Sequence, residues 1–275
     1  MFTSGVTYFK VAADAFAYRG RDSGLQFRVT RPATRAHRIQ YSGEKLKFAS
    51  VLFDLAGTLT VPMPPMDPDE PWRRYVEALA GENAEDQLSR LREAEMEAFR
   101  AGRDEQRSFT FGKVLELAGI PWTPEGVAAY RGAWEPYTRV PPETVAVLAA
   151  LQSAGVPMGL LSNTIWPVEW HREALVRDGV DHFFTATVFS SELAVAKPHP
   201  DAFRALLARL GDPPAQECLF VGDRAFEDVS GAAAVGMSTA LLPDSSVATQ
   251  HRVAAPVEPT YRVASLAGLL DIVDH

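Results

Sequence analysis

The chain has 275 residues, of which 47% are hydrophobic and 23% are charged. This balance is typical of a folded globular protein and argues against a disordered chain or a coiled coil. No apolar stretch approaches the ~20 residues that a membrane helix needs. The single cysteine, Cys218, excludes an internal disulfide, and no Cys/His cluster has the spacing of a zinc site. We therefore expect a reducing compartment, the cytoplasm.

The net charge of −8 is unevenly distributed along the chain. Residues 1–47 contain nine Lys or Arg and three Asp or Glu, which leaves 18 basic and 32 acidic groups for the rest. The acidic remainder of the chain disfavours binding to nucleic acid, because affinity for nucleic acid depends on neutralising its phosphates. We expect a small-molecule partner, no nucleic acid or membrane, and a monomer or homodimer. Residues 1–47 are predicted to be a basic, poorly ordered extension without chemistry, although their apolar stretches could also pair as a hairpin.

From residue 48 onward, short apolar segments recur of the kind that form strands buried on both faces. They are predicted at 48–53, 156–161, 187–189, 218–221, 238–242 and 261–263. Amphipathic helices are predicted between them at 144–153 and 201–210. Strands that alternate with helices imply right-handed βαβ units, so the predicted fold is α/β with a doubly wound parallel sheet.

Residues 62–140 interrupt this alternation. The segment begins with a proline-rich stretch and continues with helical patterns of apolar residues. Two of these patterns are Leu88, Leu91, Glu95, Phe99 and Phe111, Val114, Leu115, Ala118. A third helix is predicted to begin at Thr123-Pro124, a favourable cap and first residue. The predicted division is an extension at 1–47, an α/β core at 48–61 and 141–275, and a helical insertion at 62–140.

Polar residues stand at the ends of the predicted strands. Asp54 follows the first strand, Ser162-Asn163 the second and Asp223 the later Gly-Asp turn, while Lys197 lies in the loop after 187–189. Each of these residues alone is typical of a turn or a solvated surface, but strand ends of a parallel sheet converge on one rim. Two carboxylates brought together there need a cation or a proton between them, and oxygen ligands suit Mg²⁺. Ser162, Lys197 and the amides of residues 55–57 would provide donors for phosphate oxygens.

Four motifs in this order carry a family resemblance. They are Leu52–Thr60 (LFDLAGTLT), Leu160–Asn163 (LLSN), Ala196–Pro200 (AKPHP) and Val221–Val229 (VGDRAFEDV). With them the chain resembles the haloacid-dehalogenase-like hydrolase superfamily over about residues 48–245. The helical insertion resembles the helical cap that some members carry between the first two motifs.

The resemblance implies a Rossmann-like core and a Mg²⁺-dependent hydrolase of a small phosphorylated metabolite. The implied nucleophile is Asp54, which would become an aspartyl phosphate. The implied metal ligands are Asp54, the backbone carbonyl of Ala56, Asp223 and Asp228. The implied phosphate-binding residues are Ser162, Asn163 and Lys197, and Lys197 is also implied to be catalytic.

The sharpest departure from the family pattern is Ala56. Phosphatases of this kind have an aspartate there, which protonates the leaving oxygen and later activates water, and its loss typically costs about a hundred- to ten-thousand-fold in rate. Arg224 also stands where a small hydroxyl residue is commoner. These departures leave several alternatives open. A substitute acid could restore the phosphatase, or the chain could resemble the phosphonoacetaldehyde hydrolases, with Lys113 forming a Schiff base. Dehalogenase members also lack the second acid, but the rest of their aspartate loop differs from this one. The chain could also be a catalytically weak binding or regulatory protein.

Several further residues are candidates for the site. Trp72, Arg73, Arg74, Trp122 and Trp134 are candidate substrate contacts from the insertion, with helix packing or solvation as the ordinary interpretation. His171 and His199 lie near motif loops and are candidates for the missing acid, with a turn or capping role as the ordinary interpretation.

Overall fold

The computed structural model describes residues 47–61, 67–243, 253 and 256–273. The predictions made for residues 1–46 and for the proline-rich stretch at 62–66 lie outside the described residues. Among the helices of the described residues, none combines the length and the apolar character that crossing a membrane requires.

The described core contains a six-stranded, entirely parallel sheet in the order β3-β2-β1-β4-β5-β6. The strands are β1 Ser50–Phe53, β2 Met158–Ser162, β3 Ala186–Phe189, β4 Cys218–Gly222, β5 Ser238–Leu241 and β6 Tyr261–Arg262. All six were predicted, and the α/β doubly wound fold is confirmed. The first strand is shorter than predicted, since Phe48 and Ala49 precede the ladder while the Ala49 amide already donates to Glu217.

Helices lie between the strands and in one long insertion after β1. Those of the insertion are α1 Glu70–Ala78, α2 Ala84–Asp104, α3 Phe111–Ala118 and α4 Pro124–Trp134. Those of the sheet region are α5 Pro142–Ser153, α6 Val168–Arg177, α7 Pro200–Arg209, α8 Gly231–Ala234 and α9 Leu269–Val273. The predicted helices at 144–153 and 201–210 are confirmed within two residues. Their first turns contain Pro142 and Pro200, as expected for the first position of a helix.

Alternate residues of β1 bury opposite faces of the sheet. Val51 and Phe53 pack in one cluster with Leu148 of α5, whereas Leu52 packs in another with Phe203 of α7. Side chains alternate across a strand, so a strand covered on both faces reads as a continuous apolar run. This is the physical reason that the first strand was recognisable from its sequence.

The insertion has an aromatic core of its own. Trp72 stacks on Phe111 at 5.1 Å between ring centroids and lies 4.5 Å from Tyr130. Thr110 and Thr123 cap α3 and α4 by accepting from the amides of Lys113 and Gly126, which confirms the predicted start of the third helical pattern. At Gly126 an added Cβ would lie 2.7 Å from the Tyr75 ring, so only glycine permits this approach of α4 to α1.

The helical pattern predicted from Leu88 to Phe99 lies on α2, but only part of it is buried. Leu88 and Leu91 are buried, but the face continues through alanines, and Phe99 is 62% exposed. Glu95 turns towards a cavity instead of the helical core. The small alanine side chains of α2, a helix of 21 residues, are buried against neighbouring elements. The larger Phe99 lies outside this buried stripe.

Candidate active site

The strand order brings the predicted site residues to one edge of the sheet. Asp54 directly follows β1, Asp223 directly follows β4, and these two strands are neighbours. Ser162 ends β2, which pairs with β1 on the other side. In a doubly wound sheet the chain turns in opposite directions from such a central pair, and ligands bind at the carboxyl ends there.

Three carboxylates converge at this edge. One oxygen each of Asp54, Asp223 and Asp228 lies within 4.8 Å of the others, and all three residues are buried. Buried carboxylates repel one another, so such a cluster requires compensating positive charge. The structure thereby brings together the three side chains that the sequence predicted as metal ligands.

Lys197 provides part of that charge. Its Nζ donates to Oδ1 of Asp54 at 2.6 Å and to Oδ1 of Asp228 at 2.7 Å, and the side chain is 2% exposed. Burial alone would lower the pKa of the Lys197 ammonium, but the charges of Asp228 and Asp54 reverse this and hold the pKa above its ordinary value. Lys197 is therefore a fixed cation in contact with the proposed nucleophile.

Asp228 lies in a π-helical turn, Ala225–Ser230, that follows β4. Its second oxygen accepts from the amide of Arg224 at 2.9 Å. Burial raises the pKa of the Asp228 carboxyl, attraction by Lys197 opposes the rise, and repulsion by Asp54 and Asp223 adds to it. A cation bound beside these carboxylates would favour the charged form of Asp228.

The loop after β1 folds back on itself. The carbonyl of Leu55 accepts from the amides of Thr58, Leu59 and Thr60, and the Gly57 amide donates to Thr60 Oγ1. The Gly57 amide is thus engaged within the loop, contrary to its predicted role as a phosphate donor. Thr58 Oγ1 lies 3.5 Å from Oδ1 of Asp223, which links this loop to β4.

Asn163 clamps the loop that carries Lys197. Its Nδ2 donates to the carbonyl of Lys197, and its Oδ1 accepts from the Lys197 amide, both at 2.8 Å. The structure thus engages both polar groups of an Asn163 side chain that was predicted to bind phosphate. Ser162 precedes it, buried at the end of β2 and on the wall of the adjoining cavity.

A cavity of about 380 Å³ adjoins these residues. On the sheet side it is lined by Ala56, Ser162 and Lys197, so the position of the missing aspartate faces the cavity. The rest of its lining includes Glu95 of α2 and several aromatic residues. Four of these, Tyr130, Trp134 and Tyr137 of the insertion and Trp166 of the loop before α6, we call the aromatic wall. A volume of this size accommodates a small metabolite.

The two candidate histidines have different surroundings. His171 stacks between Trp166 and Phe189, and its Nε2 lies 2.9 Å from Thr164 Oγ1. Burial lowers the pKa of His171 to about 4, so the ring is neutral at pH 7 and cannot supply a proton there. His199 caps α7 by accepting from the Asp201 amide, which confirms the ordinary capping role.

Most candidate contacts from the insertion have structural roles. Arg73 pairs with Asp67 at 3.2 Å and Arg74 with Glu70 at 2.7 Å, both near the surface. Trp72 belongs to the aromatic core, Trp122 is half exposed beside it, and Trp134 lines the cavity. Of the five predicted contacts, the structure therefore brings Trp134 to the site.

The acidic cluster fits a divalent cation. Three buried carboxylates lie together, Lys197 pairs with two of them, and hard oxygen ligands at this spacing match the chemistry of Mg²⁺. The residues that would hold the ion are Asp54, Asp223 and Asp228, with the carbonyl of Ala56 at the same loop.

Sequence reasoning missed several residues of the site. Thr58 was quoted within a motif but given no role, and most of the aromatic wall was not anticipated. Glu95 did leave a signal, because a carboxylate stood at a position of the otherwise apolar stripe on α2. A charged residue within such a stripe indicates a buried polar contact or a cavity.

The fold is α/β with an acidic cluster at the carboxyl ends of its strands, and comparison with known proteins gives its family. Residues 48–236 match the family model described as haloacid dehalogenase-like hydrolase. The chain belongs to this family, as the four motifs predicted.

Relatives in the family have phosphatase names. The chain is 29% identical over 231 residues to the glyceraldehyde 3-phosphate phosphatase of Methanopyrus kandleri, a match covering 82% of this chain and 96% of that protein. It is 30% identical to the ribulose-1,5-bisphosphate 5-phosphatase of Halopiger xanaduensis, over 82% of this chain and 98% of that protein. A solved HAD phosphatase from Thermococcus onnurineus has the same fold, with a TM-score of 0.59 and 21% identity over 81% of this chain and 96% of that one.

Proposed function

We propose that the protein is a Mg²⁺-dependent phosphatase of a small phosphorylated metabolite and that Asp54 attacks the phosphorus. The observation that carries the proposal is the contact of Lys197 with Asp54 inside a buried cluster of three carboxylates. The phosphatase names of the relatives support the same reaction class.

In the proposed reaction a carboxylate oxygen of Asp54 forms a bond to phosphorus as the ester oxygen leaves, and water then hydrolyses the aspartyl phosphate. Lys197 holds the carboxylate in place and, with Ser162, binds the phosphoryl oxygens. Bound Mg²⁺ would supply positive charge to the phosphoryl group. Asn163 fixes the backbone of Lys197, so the ammonium does not have to be ordered during the reaction.

We infer that residues 62–140 act as a cap over this site. The described helices of the segment have their own aromatic core and contribute Glu95, Tyr130 and Trp134 to the cavity wall. Such a cap excludes water from the phosphoryl group and provides the contacts that select the substrate.

The position of Lys113 argues against the phosphonoacetaldehyde-hydrolase alternative. Its side chain is 45% exposed on α3 and pairs with Glu116 at 2.8 Å, and it is not among the described residues that line the cavity. A Schiff-base lysine needs access to the substrate, which this position does not offer.

The alanine at position 56 provides a test of the proposed function, because it affects how the leaving group is protonated. Without an aspartate at that position, esters with acidic leaving groups are expected to react faster than alkyl esters. We expect Mg²⁺-dependent hydrolysis of 4-nitrophenyl phosphate, loss of that activity in Asp54→Asn, and a rise of about tenfold or more on alkyl esters alone in Ala56→Asp.

Two outcomes would contradict the proposal. Hydrolysis that persists in Asp54→Asn would exclude the nucleophile, and Mg²⁺ binding without turnover of any ester would favour a non-enzymatic protein. The exposed variant Lys113→Ala is the control for substitution in the insertion, and we expect it to hydrolyse 4-nitrophenyl phosphate normally.

A further inference from the structure

The described charged side chains that line the cavity form ion pairs, with one exception. Lys197 pairs with Asp54 and Asp228, Arg103 with Asp104, Arg107 with Glu105, and Arg224 lies 4.0 Å from Glu227. Glu95 lines the same cavity and forms no ion pair with any Lys or Arg among the described residues. Asp69, another carboxylate, repels the charged form of Glu95, and Asp69 itself pairs with Arg92.

Glu95 is also separate from the proposed catalytic cluster. Burial raises the pKa of its carboxyl to about 7, the Trp72 indole opposes the rise and Asp69 adds to it. Glu95 lines the cavity from α2 of the insertion, whereas Ser162 and Lys197 line it from the edge of the sheet. A carboxylate so placed would be stabilised further in its charged form by a cation that enters with the ligand.

The surroundings of Glu95 suit such a cation. The aromatic wall is continuous, because Trp134 lies 5.9 Å from Trp166 and 6.4 Å from Tyr130 between ring centroids. Aromatic faces attract ammonium groups, and most strongly where water is excluded. Ser108 adds a buried hydroxyl without a partner among the described residues, which can accept a hydrogen bond from the ligand.

We propose that the substrate is the phosphate monoester of an amino alcohol, with its phosphoryl group at Lys197 and its protonated amine at Glu95. This deepens the proposed phosphatase function and rests on it. Glu95 is then a specificity-determining residue that binds the part of the substrate that does not react. The cavity thereby receives a ligand with one anionic and one cationic end, matching its own lysine and glutamate.

The test compares two esters of nearly equal size, 2-aminoethyl phosphate and n-propyl phosphate, with the full chain and Mg²⁺. We expect kcat/KM to be about tenfold or more higher for the amine. Glu95→Gln should abolish this preference by reducing activity on the amine alone, whereas Glu95→Asp should keep part of it. The exposed neighbour Glu93→Gln is the matched control on the same helix, and it should keep the preference.

A binding measurement gives a second readout that does not depend on turnover. Calorimetry with the unreactive analogues 3-aminopropylphosphonate and butylphosphonate should show the same preference, again lost in Glu95→Gln. An equal affinity for both analogues would overturn the proposal.

The outcomes separate the two proposals. If 4-nitrophenyl phosphate is hydrolysed but neither 2-aminoethyl phosphate nor 3-aminopropylphosphonate is preferred over its uncharged counterpart, the proposed phosphatase function stands and the amino-alcohol substrate is wrong. If Glu95→Gln slows both alkyl esters equally and leaves 4-nitrophenyl phosphate unaffected, Glu95 is the leaving-group acid and cation recognition is overturned. If 4-nitrophenyl phosphate is not hydrolysed at all, the proposed function itself fails.

Discussion

Asn163 fixes the position of Lys197, which contacts the proposed nucleophile Asp54. Its amide holds the backbone of Lys197 through two hydrogen bonds of 2.8 Å, and Lys197 in turn holds Asp54. Loss of this clamp would let the loop carrying Lys197 relax without removing the ammonium itself.

We therefore predict that replacing Asn163 impairs turnover more than it impairs substrate binding. We expect Asn163→Ala to lower kcat by about tenfold to a hundredfold with a smaller change in KM, because a small displacement of a positioned group is costly. Steady-state kinetics with 4-nitrophenyl phosphate measures both constants. A rise in KM with unchanged kcat would instead indicate that Asn163 binds the substrate phosphate directly.

His171 makes the stability of the protein depend on pH. The pKa of His171 is lowered by burial to about 4, below that of an unfolded chain near 6.5, so the unfolded state binds the proton more readily. Its contribution to stability is present above about pH 6.5 and is lost as the pH falls towards 4, by about 2–3 kcal/mol.

The variant His171→Gln tests this effect through the pH dependence of unfolding. Denaturant titrations between pH 7 and 4 should show a shallower loss of stability on acidification than in the wild type. The surface variant His182→Gln serves as the control and should follow the wild-type profile. Parallel profiles for His171→Gln and the wild type would show that the ring is not held neutral in the folded state.

At the scale of the elements, the turn after β4 depends on Gly222. A Cβ added there would lie 2.2 Å from Oδ2 of Asp228, far closer than atoms of two side chains can approach. The π-helical turn therefore packs against a strand end that has no side chain, and this contact directs Asp228 towards Lys197.

Gly222→Ala is expected to displace Asp228, to weaken Mg²⁺ binding and to reduce activity by about tenfold or more. Gly132→Ala is the matched control, because an added Cβ at that helical position meets no atom within 4 Å and alanine favours the helix. The measurement is Mg²⁺-dependent hydrolysis as a function of ion concentration for both variants. An unchanged dependence in Gly222→Ala would show that Asp228 does not support the metal.

The elements also show what the sequence could predict. Strands such as β1 and β4 are buried on both faces, so their continuous apolar runs identify them, and the polar residues after them mark the site. The helical pattern on α2 was predicted, but not which of its residues are buried, because a pattern cannot tell whether Phe99 meets a neighbour or Glu95 meets a cavity. That distinction depends on how four helices pack, and tertiary packing overrides the local period.

At the scale of the whole molecule, the cavity and the acidic cluster combine parts that are far apart in the chain. Asp54 and Lys197 are separated by 143 positions, and the cavity wall includes both the sheet edge and α2. The motifs indicated that their residues would meet at one sheet edge. Apart from Trp134, the sequence did not indicate the aromatic wall, since tertiary packing brings α4 together with the loop before α6.

Binding of Mg²⁺ is expected to stabilise the whole fold, because the ion joins residues after β1 and β4 and relieves their repulsion. At an ion concentration about a hundredfold above Kd the gain is about 2.7 kcal/mol, which corresponds to a rise in Tm of about 5–10 °C. Thermal unfolding with and without Mg²⁺ measures it, and Asp223→Asn should lose most of the rise. An equal rise in that variant would place the ion elsewhere.

The most direct test of the account is to trap the phosphorylated enzyme. The full chain is mixed with Mg²⁺ and 4-nitrophenyl phosphate, quenched in acid during turnover, digested and analysed by mass spectrometry. The account predicts one phosphoryl group on the peptide containing Asp54, absent without Mg²⁺ and absent in Asp54→Asn. Phosphate release by a wild-type protein that carries the phosphoryl group on another residue would contradict it.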